Sequence, residues 1–211
     1  MQKIYGETMA RKRSKLKQLN PTLHILCDGK CEKIYLDAYK NDYLKKIGKT
    51  VNVKTVIIDL EKSWERIINK QVRDLPESDI VWIIIDKDQN QEKFLSELEN
   101  YCKDKNLKLC LNVICLEYWF FIHFENKHPK YSKCDNIMND LKKHIENYSK
   151  NQKQFRNIVP REFLNDERIM YAKRNAKARR KNYSGVPLIK RNPYTKMDLV
   201  LDNIDKFSDI R

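Results

Sequence analysis

Apolar and polar residues fall in blocks along this chain, and block length separates strands from helices. Val81-Trp-Ile-Ile-Ile85 is a continuous apolar run that ends in Asp86-Lys87-Asp88. So short a run, rich in Ile and Val and without polar alternation, predicts a strand buried on both faces. Residues 22–27, 51–58 and 107–113 predict three more strands, with the first broken by the turn signal Asp28-Gly29-Lys30. Between these runs, apolar residues recur at helical steps. Ile34, Leu36, Ala38 and Tyr39 mark a helix continuing to residue 46, and Trp64, Ile67, Ile68 and Val72 mark one over 60–73. Phe94, Leu95, Leu98, Tyr101 and Cys102 mark a third over 91–105. The order β-α-β-α-β-α-β predicts an α/β fold: a mostly parallel four-stranded sheet, wound right-handed, with helices on both faces.

The pattern changes after the fourth strand. Residues 114–124 are apolar nearly all round, which predicts a buried helix with Glu117 as its internal acid. A buried carboxylate needs a cation, a metal or hydrogen-bond donors, and a Lys or Arg salt bridge is one such solution. His123 in the same run is an accessory candidate as ligand or general acid–base, but a satisfied core or rim histidine is the first reading of it. Further helices are expected over 136–149 and from Pro160 to about Lys181. A last one opens at Asn192-Pro193-Tyr194-Thr195, with Thr195 as N-cap. The organisation read from this is a basic arm at 1–20, an α/β core at 21–126 and a helical C-terminal extension at 127–211 packed on the core.

Composition narrows the partners. The chain has 211 residues, enough for one domain with elaborations, and its 43 Lys and Arg against 29 Asp and Glu give a net charge of +14. That surface favours polyanions, meaning nucleic acid, nucleotides or anionic membrane, though a Lys- and Asn-rich host composition produces the same excess. Lys173, Arg174, Lys177, Arg179, Arg180 and Lys181 put six bases in nine residues with no acid. They are candidate phosphate contacts, joined by Lys30; a solvated helix face is the plainer alternative. No apolar run approaches the ~20 residues of a membrane span, so no membrane partner and a cytoplasmic address are expected. Six cysteines show neither a paired C-x-x-C nor C-x-x-C-H. Buried thiols are the first reading, a zinc site the second, and a disulfide framework is not expected.

Candidate chemistry gathers at one place. In a parallel sheet, Asp28 and Glu32 follow the first strand, Asp86 and Asp88 end the third, and Glu117 follows the fourth, all at the carboxyl edge. Asp86 and Asp88, at i and i+2 of an extended segment, point the same way. Acids converging in a basic chain suit Mg²⁺ or Mn²⁺ and metal-assisted phosphoryl transfer, with the bases holding a nucleic-acid backbone.

Four segments carry a resemblance: residues 27–35 (Cys-Asp-Gly-Lys-Cys-Glu-Lys-Ile-Tyr), 81–88, 112–125 with its Glu-x-Trp-x-x-x-His-Phe run, and 192–195. On these the chain resembles the RloB-like family, and more broadly the Toprim domain of topoisomerases, bacterial primases and OLD-family nucleases. The resemblance implies a Toprim/Rossmann-like core and a nuclease of anti-phage defence or restriction-linked systems, working with an AAA-type ATPase partner. It implies Glu32, Asp86 and Asp88 as metal ligands. Asp28 stands where Toprim proteins usually carry Glu as general acid–base, one methylene shorter. Val113-Ile114 replaces the usual Asn-Pro. A catalytically weak nucleic-acid-binding or regulatory subunit is the competing expectation. Primase-like nucleotidyl transfer ranks below both, because no nucleotide-binding Gly-rich loop is visible.

Overall fold

Burial on both faces is what the apolar runs require, and the sheet provides it. The structure, a computed structural model, describes residues 21–60, 63–87 and 91–208. The basic arm at 1–20 and Asp88 lie outside the described residues. The strands are β1 (Leu23–Cys27), β2 (Val53–Ile57), β3 (Ile80–Asp86) and β4 (Lys108–Asn112). They form one all-parallel sheet in the order β2-β1-β3-β4. Val81 to Ile85 are all buried, as are Leu23 to Cys27. These strands therefore have no solvated face to alternate toward, which is why their sequence reads as continuous apolar runs.

Strand order dictates where the helices go. Helix α1 (Lys30–Ala38) carries the chain from β1 to β2 in one direction, while α2 (Trp64–Val72) and α3 (Glu92–Asp104) carry it the other way. Right-handed crossovers then place α1 on one face and α2 with α3 on the other. Contacts agree: the Trp64 ring packs edge-on against Phe94 and Tyr101, and Tyr101 OH donates to Asn69. Directions diverge between β1 and β3, so the carboxyl ends of these two strands flank a topological switch point, where open α/β sheets bind ligands.

The remaining helices complete the layers. Among the described residues they are α4 (Glu117–Phe121), α5 (Cys134–Lys142), α6 (Gln152–Glu162), α7 (Asp166–Lys181) and α8 (Met197–Ser208). Helix α8 lies beside α1 on the sheet: Tyr39 OH donates to Asp205, and Trp82 Nε1 donates to Asn203. Its Val200, Leu201 and Ile204 join the same apolar cluster as β1 and β3. A π-helical turn at Tyr39–Leu44 extends α1 toward residue 46.

Three helices differ from the sequence pattern. Residues 114–124 hold only the five-residue α4, because burial is complete on every side and periodicity cannot mark where the backbone turns. The Val113–Ile114 peptide just before it is cis. Pro160 does not start a helix; it sits near the end of α6, which Asn151 caps by accepting from the Lys153 and Gln154 N–H groups. Helix α7 starts separately, with Asn165 accepting from Arg168 N–H. The helix expected over 136–149 starts at Cys134 and ends at Lys142. A single disulfide, Cys115–Cys134, joins α5 to the segment before α4, where the cysteine pattern gave no reason to expect one.

Phe120 ties the layers together: fully buried, it stacks on Phe163 with ring centroids 4.5 Å apart and meets Tyr35 and Phe155. Phe120→Ala is expected to lower stability by about 3–5 kcal/mol in urea denaturation. A loss below about 1 kcal/mol would show that α4 is not anchored to α1 and α6 through this ring.

Candidate functional site

Glu32 reaches the switch point because α1 begins there. Its N-cap, Gly29, has extended backbone, and Glu32 occupies the first turn. An acid there meets the unpaired N–H groups of the helix start. The fit is close: a Cβ on Gly29 would stand 2.3 Å from Glu32 Oε2. Glu32 is 5% exposed.

Asp86 ends β3 opposite Asn112 of β4. Both of its oxygens are held: Asn112 Nδ2 donates to Oδ1 at 3.0 Å, and the Leu116 N–H donates to Oδ2 at 3.1 Å. Asn112 is oriented in turn by Thr195 Oγ1, which donates to its Oδ1 at 2.7 Å. Thr195 is placed by an antiparallel bridge between Val113 and Tyr194. It also accepts from the Met197 N–H, the capping role its sequence position suggests.

Glu117 opens α4 and is 1% exposed. Lys150 Nζ lies 2.9 Å from its Oε1, and Tyr148 OH donates to the same oxygen at 3.1 Å. The salt bridge required by a buried acid is thus supplied from the loop between α5 and α6. Asp28, Gly29, Lys30, Cys31, Glu32, Asp86, Glu117 and Lys150 all line one cavity of about 350 Å³.

The electrostatics of this cavity are strained by design of the sheet. Burial raises the Glu32 carboxyl from an ordinary 4.5 to about 7, with Glu117 and Asp28 adding repulsion. Burial also raises Asp86 well above its usual range, reinforced by Glu32 and Glu117. Lys150 responds oppositely: burial opposes its charge, but Glu117 and Asp86 outweigh that and raise it. Burial pushes the Cys31 thiol up to about 12. Glu32, Asp86 and Glu117 are oxygen donors of the kind hard divalent cations prefer and line one cavity, but among the described residues they do not bring three donor atoms within 4.8 Å of one another.

A model of the family described as RloB-like protein matches residues 23–204, from β1 through most of α8. The chain belongs to the RloB-like family. No curated protein matches it.

In this RloB-like chain four of the five sequence-derived acids share the cavity, and the fifth, Asp88, lies outside the described residues. His123 does not join them. It is buried among Trp119 and Phe163, and its Nδ1 donates to the Trp119 carbonyl. Burial lowers its pKa to about 3, so it stays neutral at physiological pH. The basic run of α7 divides. Lys173 pairs with Asp202 and Asp205, and Arg180 with Asp198. Arg179 donates to the Asn192 carbonyl and to Tyr183 OH. Arg174, Lys177 and Lys181 are exposed, as is Lys30 at the cavity mouth.

Asn112, Thr195, Tyr148 and Lys150 escaped the candidate set. Asn112 and Thr195 stood inside the family-like segments, Asn112 without an assigned role and Thr195 only as an N-cap. Lys150 sits in a polar stretch with no periodic signal, and only the general demand of a buried Glu117 pointed to a cation.

A carboxyl raised in the folded state lowers stability as pH rises from its unfolded value toward its folded one. Glu32 does this between about 4.5 and about 7, while His123, held neutral, acts in the opposite sense below about 6.5. The expected outcome is therefore differential: Glu32→Gln stabilises the metal-free protein at about pH 7.5 by up to about 3 kcal/mol, and little at about pH 4.5. Urea denaturation at both pH values checks it. Gly29→Ala provides a second check, since its backbone suits any residue while the new methyl must displace the Glu32 carboxylate. Melting temperature should hold and Mn²⁺ affinity in calorimetric titration should fall about tenfold or more.

Proposed function

We propose that this RloB-like chain is a divalent-metal-dependent nuclease that hydrolyses phosphodiesters of DNA or RNA. We place it in prokaryotic defence or restriction-linked systems with an AAA-type ATPase partner, as the family resemblance implies. The observation that carries the reading is the convergence of Glu32, Asp86 and Glu117 on one cavity at the switch point, with two of them held at raised pKa. Carboxylates kept under such repulsion favour a site whose normal occupant is a cation. Glu32 and Asp86, with Asp88 two residues after Asp86 in sequence, would hold Mg²⁺ or Mn²⁺. When bound, such an ion supplies a lowered pKa for attacking water and charge neutralisation at the phosphoryl group.

The chain's own residues do the rest. Asn112 and the Leu116 N–H fix the Asp86 carboxylate with both oxygens occupied, so its remaining lone pairs face a set direction. Lys150, kept protonated by Glu117, puts a cation on the cavity wall that can attract a phosphate oxygen. Asp28 lines the same wall and is the candidate to move a proton to or from the leaving oxygen. Exposed Lys30, Arg174, Lys177 and Lys181 are available to backbone phosphates, and such contacts weaken steeply with salt.

Two observations favour a second reading. Lys150 already neutralises part of the cluster without metal, and Asp28 is shorter than the Glu usual in Toprim proteins. Both suit a catalytically weak nucleic-acid-binding or regulatory subunit. The test is cleavage of DNA and RNA by the full chain with its ATPase partner in Mg²⁺ or Mn²⁺. Nuclease function predicts cleavage that chelation abolishes and that Asp86→Asn lowers about a thousand-fold. Salt-sensitive binding without cleavage, unchanged in Asp86→Asn, would replace the nuclease reading with the binding one.

A further inference from the structure

Glu117, on the cavity wall, also belongs to a second donor set of different chemistry. Cys115 lies two residues before Glu117, and Cys134 begins α5. All three side chains are buried, and one donor atom from each lies within 4.8 Å of the others. Cys134 Sγ stands 3.1 Å from Glu117 Oε2, the oxygen that neither Tyr148 nor Lys150 occupies. Glu117 therefore turns one oxygen to the carboxylate-supporting donors and the other to sulfur.

We propose that, once the Cys115–Cys134 bridge is reduced, Cys115, Cys134 and Glu117 form a binding site for a thiophilic divalent cation of the Zn²⁺ class, separate from the oxygen-only set of Glu32 and Asp86. Two thiolates and a carboxylate are a zinc-like donor set that Mg²⁺ does not select. Tetrahedral coordination with Zn–S near 2.3 Å and Zn–O near 2.1 Å separates sulfur from oxygen by about 3.6 Å and sulfur from sulfur by about 3.8 Å. The Cys134–Glu117 approach of 3.1 Å is within about half an ångström of this, and the larger movement is the parting of the two sulfurs. Charge also closes: two thiolates, a carboxylate and a divalent ion leave one negative charge. Lys150 Nζ, 3.5 Å from Cys134 Sγ and 2.9 Å from Glu117, stands ready to balance it. Three protein ligands leave a fourth position for water.

Opening the site is a two-electron step. A dithiol reductant gives two electrons and two protons to the bridge, the S–S bond breaks to two thiols, and the reductant closes to its own disulfide. The incoming cation then displaces both thiol protons to solvent.

Co²⁺ is the probe, added to the full chain reduced with a phosphine and, separately, to the unreduced chain. The expected result is one equivalent bound by the reduced form, with thiolate-to-cobalt charge-transfer absorption and the visible bands of a tetrahedral ion. Those bands should be missing in the unreduced chain and lost in Cys115→Ser and Cys134→Ser. Cys31→Ser, in the same cavity but outside the donor set, should keep them. A measurement on the unmutated chain guards against variants that fail to fold: Zn²⁺ should protect Cys115 and Cys134, but not Cys31, from alkylation read by mass spectrometry. No charge-transfer band in the reduced chain, a band surviving Cys134→Ser, or equal alkylation with and without Zn²⁺ would overturn the proposal. Neither readout involves nucleic acid, so failure of the nuclease reading and failure of this site are told apart.

Discussion

Three carboxylates crowd one cavity edge, and much of the surrounding structure follows from keeping them there. Glu32, Asp86 and Glu117 each come from a different element: the start of α1, the end of β3 and the start of α4. Burying an ionised carboxylate costs several kcal/mol even after relaxation, and like neighbours add to it. The rise of Glu32 to about 7 and the rise of Asp86 well above its usual range express that cost. What opposes it is the core beneath, where β1 and β3 are buried on both faces and α4 is locked among aromatic rings. The backbone cannot move to relieve the repulsion without opening that packing, so the acids stay converged.

Support for the cluster comes from far along the chain. Thr195 orients Asn112, which holds Asp86, and Thr195 is itself set by the Val113–Tyr194 bridge. Tyr148 and Lys150, from the loop before α6, close over Glu117. Segments beyond α4 thus support the site directly at Glu117 and through Asn112 at Asp86. Removing residues beyond α4 would strip Glu117 of Tyr148 and Lys150, and Asn112 of Thr195, as well as uncover the sheet. This also accounts for the reach of the family match, which runs to residue 204 and does not stop at the α/β core.

How much of this the sequence carries depends on what each signal encodes. The strands are legible because burial on two faces leaves only apolar residues, and Val81–Ile85 is the clearest case. Clustering of Asp28, Glu32, Asp86 and Glu117 is legible because parallel strands put their carboxyl ends at one edge. Helix α4 is not legible, since a segment apolar on every side has no periodicity to bound it. The α7 bases mislead for a related reason: a run of like charges states composition, whereas Lys173 and Arg180 are claimed by acids of α8 that lie 18 to 32 residues away. Lys150 is silent in sequence because a salt bridge to a distant loop leaves no local pattern.

Charge balance links the site's geometry to its chemistry. Lys150 cancels one charge of the trio Glu32, Asp86 and Glu117 when all are ionised, which leaves two negative charges on that trio, with Asp28 lining the same cavity beside them. A second buried lysine would have removed part of the remainder; among the described residues the other lysine lining the cavity is Lys30, exposed to water. Protons can fill the deficit, as the raised pKa values of Glu32 and Asp86 record, but only by leaving neutral carboxyls in place of ligands. One divalent cation fills it without protonation, and its binding would then return both pKa values toward the ordinary range. The same bookkeeping separates the two metal sites argued above. Glu32 and Asp86 reach neutrality with a hard ion on oxygen alone, whereas the sulfur side of Glu117 reaches it only after reduction adds two thiolates for a softer ion to meet.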